Sequence, residues 1–189
     1  MHDLSPDAAL LVIDLQRAID HECFAGRNNP QAEKRVLHLL HAWRNRKRPI
    51  YHIRHDSQEP ESPYRPGQPL HAFKPETAPL EGETVVPKRT NSAFIGTDLE
   101  ARLKAAGHRI LVVTGVLSHN SVEATVRMAG NLGFETYLVA DATAAIPKRG
   151  RDGTLYDADT VHEIALANID GEYAQVVDSR EVLAAIASF

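Results

Sequence analysis

A chain of 189 residues with 43% hydrophobic and 24% charged residues has the length and usage of one globular domain with one core, and is neither fibrous nor disordered. A net charge of -4 gives no basic field for a polyanion, which argues against nucleic acid as a partner. A lone cysteine, Cys23, rules out a disulfide framework. No apolar run approaches the roughly 20 residues that span a bilayer, and Met1 to Pro6 carries no signal-peptide pattern. The expectation is a single cytoplasmic domain over residues 1–189, with no membrane association.

In chain order, Ala8 to Ile13 is a continuous apolar run that stops at Asp14 and reads as a strand buried on both faces. A helix is predicted over about 31–47, with Val36, Leu37, Leu39, Leu40 and Trp43 as its apolar stripe. Trp43 belongs to the core or to an oligomer contact, and the basic run Arg44 to Arg48 decorates the helix end. A second strand, Pro49 to Ile53, precedes a segment from Asp56 to Gly82 with six prolines. So long a loop is expected to act as a lid over a substrate site or as an oligomer arm.

Thr84 to Pro87 forms a third strand ending at Lys88, and a helix near 98–106 stops at Gly107. Arg109 to Thr114 is the most apolar strand. Ser118 is placed to cap a helix running to about Leu132, with Gly133 as terminator. Thr136 to Ala140 is another strand, 147–157 a loop, 159–168 a helix, 174–177 the last strand, and the remainder helical. Strands alternating with helices predict an α/β, Rossmann-like three-layer α/β/α fold on a mainly parallel six-stranded sheet.

Ligands of such sheets bind beyond the carboxyl ends of the strands. An acid (Asp14), an ammonium (Lys88) and a helix start (Gly115 to Ser121) should therefore converge on one rim. The Gly115 turn lacks the further glycines of a dinucleotide loop. His52, His55, Asp56 and His71 fall in and beyond the second strand, but nothing in the pattern fixes them as ligands, so neither metal nor cofactor is expected.

Three segments resemble the signature regions of isochorismatase-like (cysteine) hydrolases: Leu11 to Gln16, Val86 to Phe94, and TGVLSHNSVEATVRMAGNLGF from Thr114 to Phe134. The resemblance runs from about Ala8 to Asp178. It implies that Asp14 and Lys88 are catalytic and that Ser121 stands where amidase members carry a nucleophilic cysteine. It places Thr125 and Arg127 in the remainder of that motif. It also implies a cis Val116–Leu117 peptide whose backbone N–H groups form an oxyanion hole, and a homodimer or homotetramer. In zinc-binding relatives an aspartate and two histidines follow the second strand; here Arg54 and Asp56 take roughly those places.

A serine hydroxyl is a far weaker acid than a thiol, and aspartate is a poor base for it. His119 shares a helical turn with Ser121 and should point elsewhere. Cys23, in a loop without a helix start behind it, reads as a small structural residue. The implied activity is therefore hydrolysis of a small polar or anionic molecule, with Asp14 as general acid/base, Lys88 as electrostatic partner and no cysteine-type intermediate. The bond is a vinyl ether or an amide C–N bond. Attack by Ser121, or a binding protein without turnover, are the alternatives. Gln16, Arg54, His55, Phe94, Leu117 and Ser118 are the candidate substrate-binding residues.

Overall fold

The computed structural model describes residues 4–187. Met1 to Asp3, where a leader was sought, and the last two residues of the C-terminal helical stretch lie outside the described residues. Six strands form one all-parallel sheet: β1 (Ala9–Ile13), β2 (Ile50–His55), β3 (Thr84–Lys88), β4 (Ile110–Val116), β5 (Glu135–Ala144) and, after a hairpin described below, β8 (Gln175–Val177). Their order is β3-β2-β1-β4-β5-β8. The chain moves outward from β1 through β2 to β3, then returns to β1's other side with β4. The order reverses between β1 and β4, and at such a switch point the connecting loops part and leave a crevice.

Alternate residues of each strand supply two cores. Leu10, Val12 and Val112 face one side with Leu39, Leu40 and Trp43 of α1 (Ala32–Asn45) and Val182 and Ile186 of α5 (Ser179–Ala187). Leu11, Ile13 and Val113 face the other. There they meet Leu103 of α2 (Leu99–Ala105), Val126 of α3 (Glu123–Asn131) and Leu166 of α4 (Ala158–Ala167). This is the three-layer arrangement, and burial on both faces explains the unbroken apolar runs. Trp43 is fully buried and donates from Nε1 to the Ala8 carbonyl at 3.0 Å, so it is a core residue with no oligomer role.

Two local expectations are corrected. Ser118 does not cap a helix: a π-helical turn, Ser118–Val122, precedes α3, and the serine hydroxyl is bonded to His162 Nδ1 at 2.9 Å. The 147–157 stretch is a short antiparallel hairpin of β6 (Lys148–Arg149) and β7 (Leu155–Tyr156). The proline-rich segment is pinned beside the end of β1, and its Ser62 and Tyr64 line the cavity described below. Arg17 N donates to Ala72 O (2.8 Å), Lys74 N to Leu15 O (3.0 Å), and Lys74 Nζ reaches Asp20 and Glu33 at 2.9 Å each.

Gly115 allows β4 to reach the switch point. Its φ is +112°, and a Cβ there would overlap the Ile13 carbonyl and lie 2.6 Å from Ile13 N on the neighbouring strand. Close approach and positive φ both demand glycine. Gly115→Ala is expected to cost about 4 kcal/mol of stability, to be read from the denaturant midpoint. A loss below about 1 kcal/mol would contradict this packing.

Candidate active site

Three strand ends bring the key groups together. Asp14 follows β1 with φ +54°, a left-handed conformation that aspartate tolerates better than most residues. Its backbone is held by Asp14 N donating to Ile53 O (3.0 Å) and by the Tyr64 hydroxyl donating to Asp14 O (3.2 Å). Lys88 is the last residue of β3, two strands away, and its long stem passes over β2. Ser121 lies in the π-helical turn after β4, which the Val116–Leu117 peptide enters in the cis form.

Lys88 is 1% exposed and Asp14 4%. Lys88 Nζ donates to Asp14 Oδ2 at 2.8 Å, and also lies 3.1 Å from Thr90 O, 3.1 Å from Ser121 Oγ and 3.3 Å from His55 Nδ1. An ammonium has three N–H groups and no lone pair, so four neighbours compete for three donors. The second carboxylate oxygen, Asp14 Oδ1, is buried with no hydrogen-bond partner among the described residues. Ser121 Oγ accepts from Lys88, and among the described residues no carboxylate or imidazole is within hydrogen-bonding distance of it. Burial pushes the His55 imidazole below the usual histidine range, and the Lys88 charge pushes it further.

These groups border a cavity of about 150 Å³ lined by Asp14, Phe24, His55, Tyr64, Asn91, Leu117 and Ser121, among others. It is smaller than the clefts that take drug-sized ligands, which suits a small molecule. Arginine and lysine are absent from its lining.

Of the nine residues singled out from the sequence, Asp14, His55, Leu117 and Ser121 line this cavity, and Lys88 sits directly behind it. Four do not reach it. Gln16 is a buried clamp: its Nε2 donates to His55 O (3.1 Å) and His71 O (2.8 Å), and its Oε1 accepts from His55 N (2.7 Å). Arg54 is held by both oxygens of Asp56, at 2.8 and 3.1 Å. Phe94 stacks on Phe134 in the core, centroids 5.8 Å apart. Ser118 is turned to His162.

Around Asp56, His71 Nε2 lies 2.7 Å from Oδ1, while the buried His52 pairs instead with Glu83, its Nε2 2.8 Å from the carboxylate. No group of three or more His, Cys, Asp or Glu among the described residues could hold a metal ion. His119 lines a separate depression beside α4, and Cys23 is exposed with its Sγ 3.2 Å from His21 Nδ1. Thr125 is structural, accepting from Ala93 N (3.0 Å) and donating to Ser121 O (2.7 Å), so it ties the loop after β3 to the turn that carries Ser121. Sequence reasoning missed Phe24, Asn91 and Asn120. Asn91 and Asn120 flank Lys88 and Ser121 within the quoted motifs, a usable signal; Phe24 has none, since its loop folds back only in three dimensions.

Comparison with known proteins gives the family. The family model described as Isochorismatase domain matches residues 8–181. The isochorismatase family protein YrdC of Bacillus subtilis is 38% identical over 175 residues, 93% of this chain and 94% of YrdC. A maleamate amidohydrolase of Pseudomonas putida is 32% identical over 117 residues, 62% of this chain and 50% of that protein. The crystal structure of an isochorismatase-family protein from Chromobacterium violaceum matches with a TM-score of 0.97 and 54% identity, over 100% of this chain and 98% of that one. Given a domain match over residues 8–181 and alignments that cover 94% of YrdC and 98% of the Chromobacterium violaceum protein, the chain belongs to the isochorismatase family of hydrolases.

Proposed function

We propose that the chain hydrolyses a small polar or anionic molecule without forming a covalent enzyme intermediate, with Asp14 moving the proton and Lys88 as its electrostatic partner. One observation carries the reading. Asp14 Oδ1 is buried at the cavity without a partner, whereas Ser121 Oγ rests on an ammonium and has no base beside it. A carboxylate with one oxygen anchored and the other free is placed to exchange a proton with whatever enters.

For an amide, water attacks the carbonyl carbon while giving its proton to Asp14 Oδ1. Charge develops on the carbonyl oxygen beside the N-terminal turn at Leu117 to Ser121. The carboxyl then returns the proton to the leaving nitrogen, and the C–N bond breaks. For a vinyl ether, Asp14 must start protonated: Oδ1 gives its proton to the double bond, water adds to the resulting cation and returns a proton to Asp14, and the hemiketal then breaks its C–O bond to release the alcohol. The maleamate amidohydrolase relative favours the C–N bond. In this reading Ser121 occupies the place of the family's cysteine but positions water and does not attack.

The amidase alternative, with Ser121 as nucleophile, requires Lys88 to give up its proton and accept the serine's, which the buried contact with Asp14 opposes. Quenched turnover separates the two: intact-mass spectra are expected to show unmodified protein throughout. An acyl adduct on Ser121 would establish the serine mechanism. We also propose a cytoplasmic homodimer or homotetramer. Supporting this, Tyr156 and Ile164 border one depression and, with Leu155, are among the few large apolar side chains left exposed. No helix among the described residues is long and apolar enough to cross a membrane.

A further inference from the structure

We infer that the Asp14 cavity selects an uncharged substrate, whose polar acceptor group takes a hydrogen bond from His55 Nε2. This narrows the substrate class and rests on the reading of that cavity as the hydrolytic site.

Counting charges leads to this conclusion. Asp14 is the one carboxylate in the lining, and its charge is matched by Lys88 behind it. No lysine or arginine lines the cavity. Nearby, Arg54 is held by both oxygens of Asp56, and Arg27 bonds Glu33 through Nη2 (2.6 Å) while its Nη1 is buried without a hydrogen-bond partner among the described residues, outside the lining. A substrate carboxylate would therefore sit against Asp14 Oδ1, a second carboxylate oxygen with no donor between them. Like charges brought that close repel, and more strongly at a partly buried site than in bulk water. The helix start adds only a partial positive charge. It suits the charge that appears on a carbonyl oxygen in the transition state better than a full charge brought by the substrate.

His55 supplies the donor. Its Nδ1 faces the Lys88 ammonium at 3.3 Å. An N–H on Nδ1 would point its positive end at the ammonium, so the tautomer that fits the site turns the Nδ1 lone pair to Lys88 and carries the ring proton on Nε2. No group among the described residues bonds that Nε2, and the residue lines the cavity. Burial and the Lys88 charge both oppose a second proton, so the ring is a neutral donor and not a cation that could bind an acid. Gln16 is the positioning residue, gripping both the N–H and the carbonyl of His55. Tyr64, edge-on to His55 at 5.6 Å and to Phe24 at 5.8 Å, completes an aromatic wall, and its hydroxyl is occupied by the Asp14 carbonyl.

The test is a matched pair with the same scissile amide and one charge of difference: maleamide, the diamide, against maleamate, the monoacid. The diamide is expected to show kcat/KM at least about 100-fold higher. Asn91→Lys, which places a cation in the lining, should shrink that ratio about tenfold. His55→Leu should raise KM for the diamide, and His55→Gln, which keeps a donor, should recover most of it. Equal or faster turnover of the monoacid, or an unchanged KM in His55→Leu, would overturn the inference. Calorimetry with the wild-type protein and both compounds at millimolar concentration covers a protein that turns over neither. Selective binding of the diamide would then uphold the charge inference and sink the hydrolytic reading, whereas equal binding of both, or binding of neither, would overturn the charge inference.

Discussion

Asp14→Asn is expected to lower kcat about 1000-fold on any substrate the protein hydrolyses, while Ser121→Ala keeps kcat within about tenfold of wild type. Asparagine is the informative replacement. It matches the shape of aspartate and tolerates φ +54°, so the strand end should keep its conformation. The change removes the proton-exchanging carboxylate and leaves the Lys88 ammonium buried without its counter-ion, which is why the rates are compared at equal folded fraction. Ser121→Ala removes a hydroxyl whose recorded partner is the Lys88 ammonium, which keeps Asp14 as its shortest contact. Steady-state rates of the two purified variants, compared at equal folded fraction, give the answer. Equal losses would mean that Ser121 takes part in the chemistry and would favour covalent attack.

Lys88→Met should destabilise the fold by about 3–5 kcal/mol, because it leaves Asp14 charged and buried without its counter-ion. The pair is almost wholly inaccessible, at 0% and 5% side-chain exposure, so solvent cannot replace the lost partner. Asp14→Asn/Lys88→Met removes both charges and is expected to recover most of that stability while staying inactive. The double-mutant cycle in urea isolates the coupling. Additive losses across the cycle would mean that the two groups do not stabilise each other. Recovery of stability without recovery of turnover would separate the structural part of the pair from its catalytic part.

Much of this was legible in the residues. Strands buried on both faces leave unbroken apolar runs, so β1 and β4 stand out in the sequence, and their carboxyl ends mark Asp14 and the Gly115 turn. Lys88 was legible for the same reason, at the end of β3. Ser118 shows the limit: a serine before a helix has the pattern of a cap, but a π-helical turn and a buried histidine 44 residues away claim its hydroxyl instead. Gln16 likewise has the pattern of a substrate residue. It became a clamp because the chain at His55 and His71 presented backbone groups that burial would otherwise leave unpaired.

The sequence alone determined the fold class, the family resemblance, the acid and the ammonium, and the absence of a thiol from the signature motif, because periodicity and residue chemistry are local properties of the chain. Only the tertiary structure decided which oxygen of Asp14 is without a partner, which four groups surround the Lys88 ammonium, and which side chains line the cavity. Those outcomes depend on contacts between β1, β2, β3 and the turn after β4. They come from segments up to 107 residues apart (Asp14 to Ser121), and pairing at that range is set by how the sheet orders its strands.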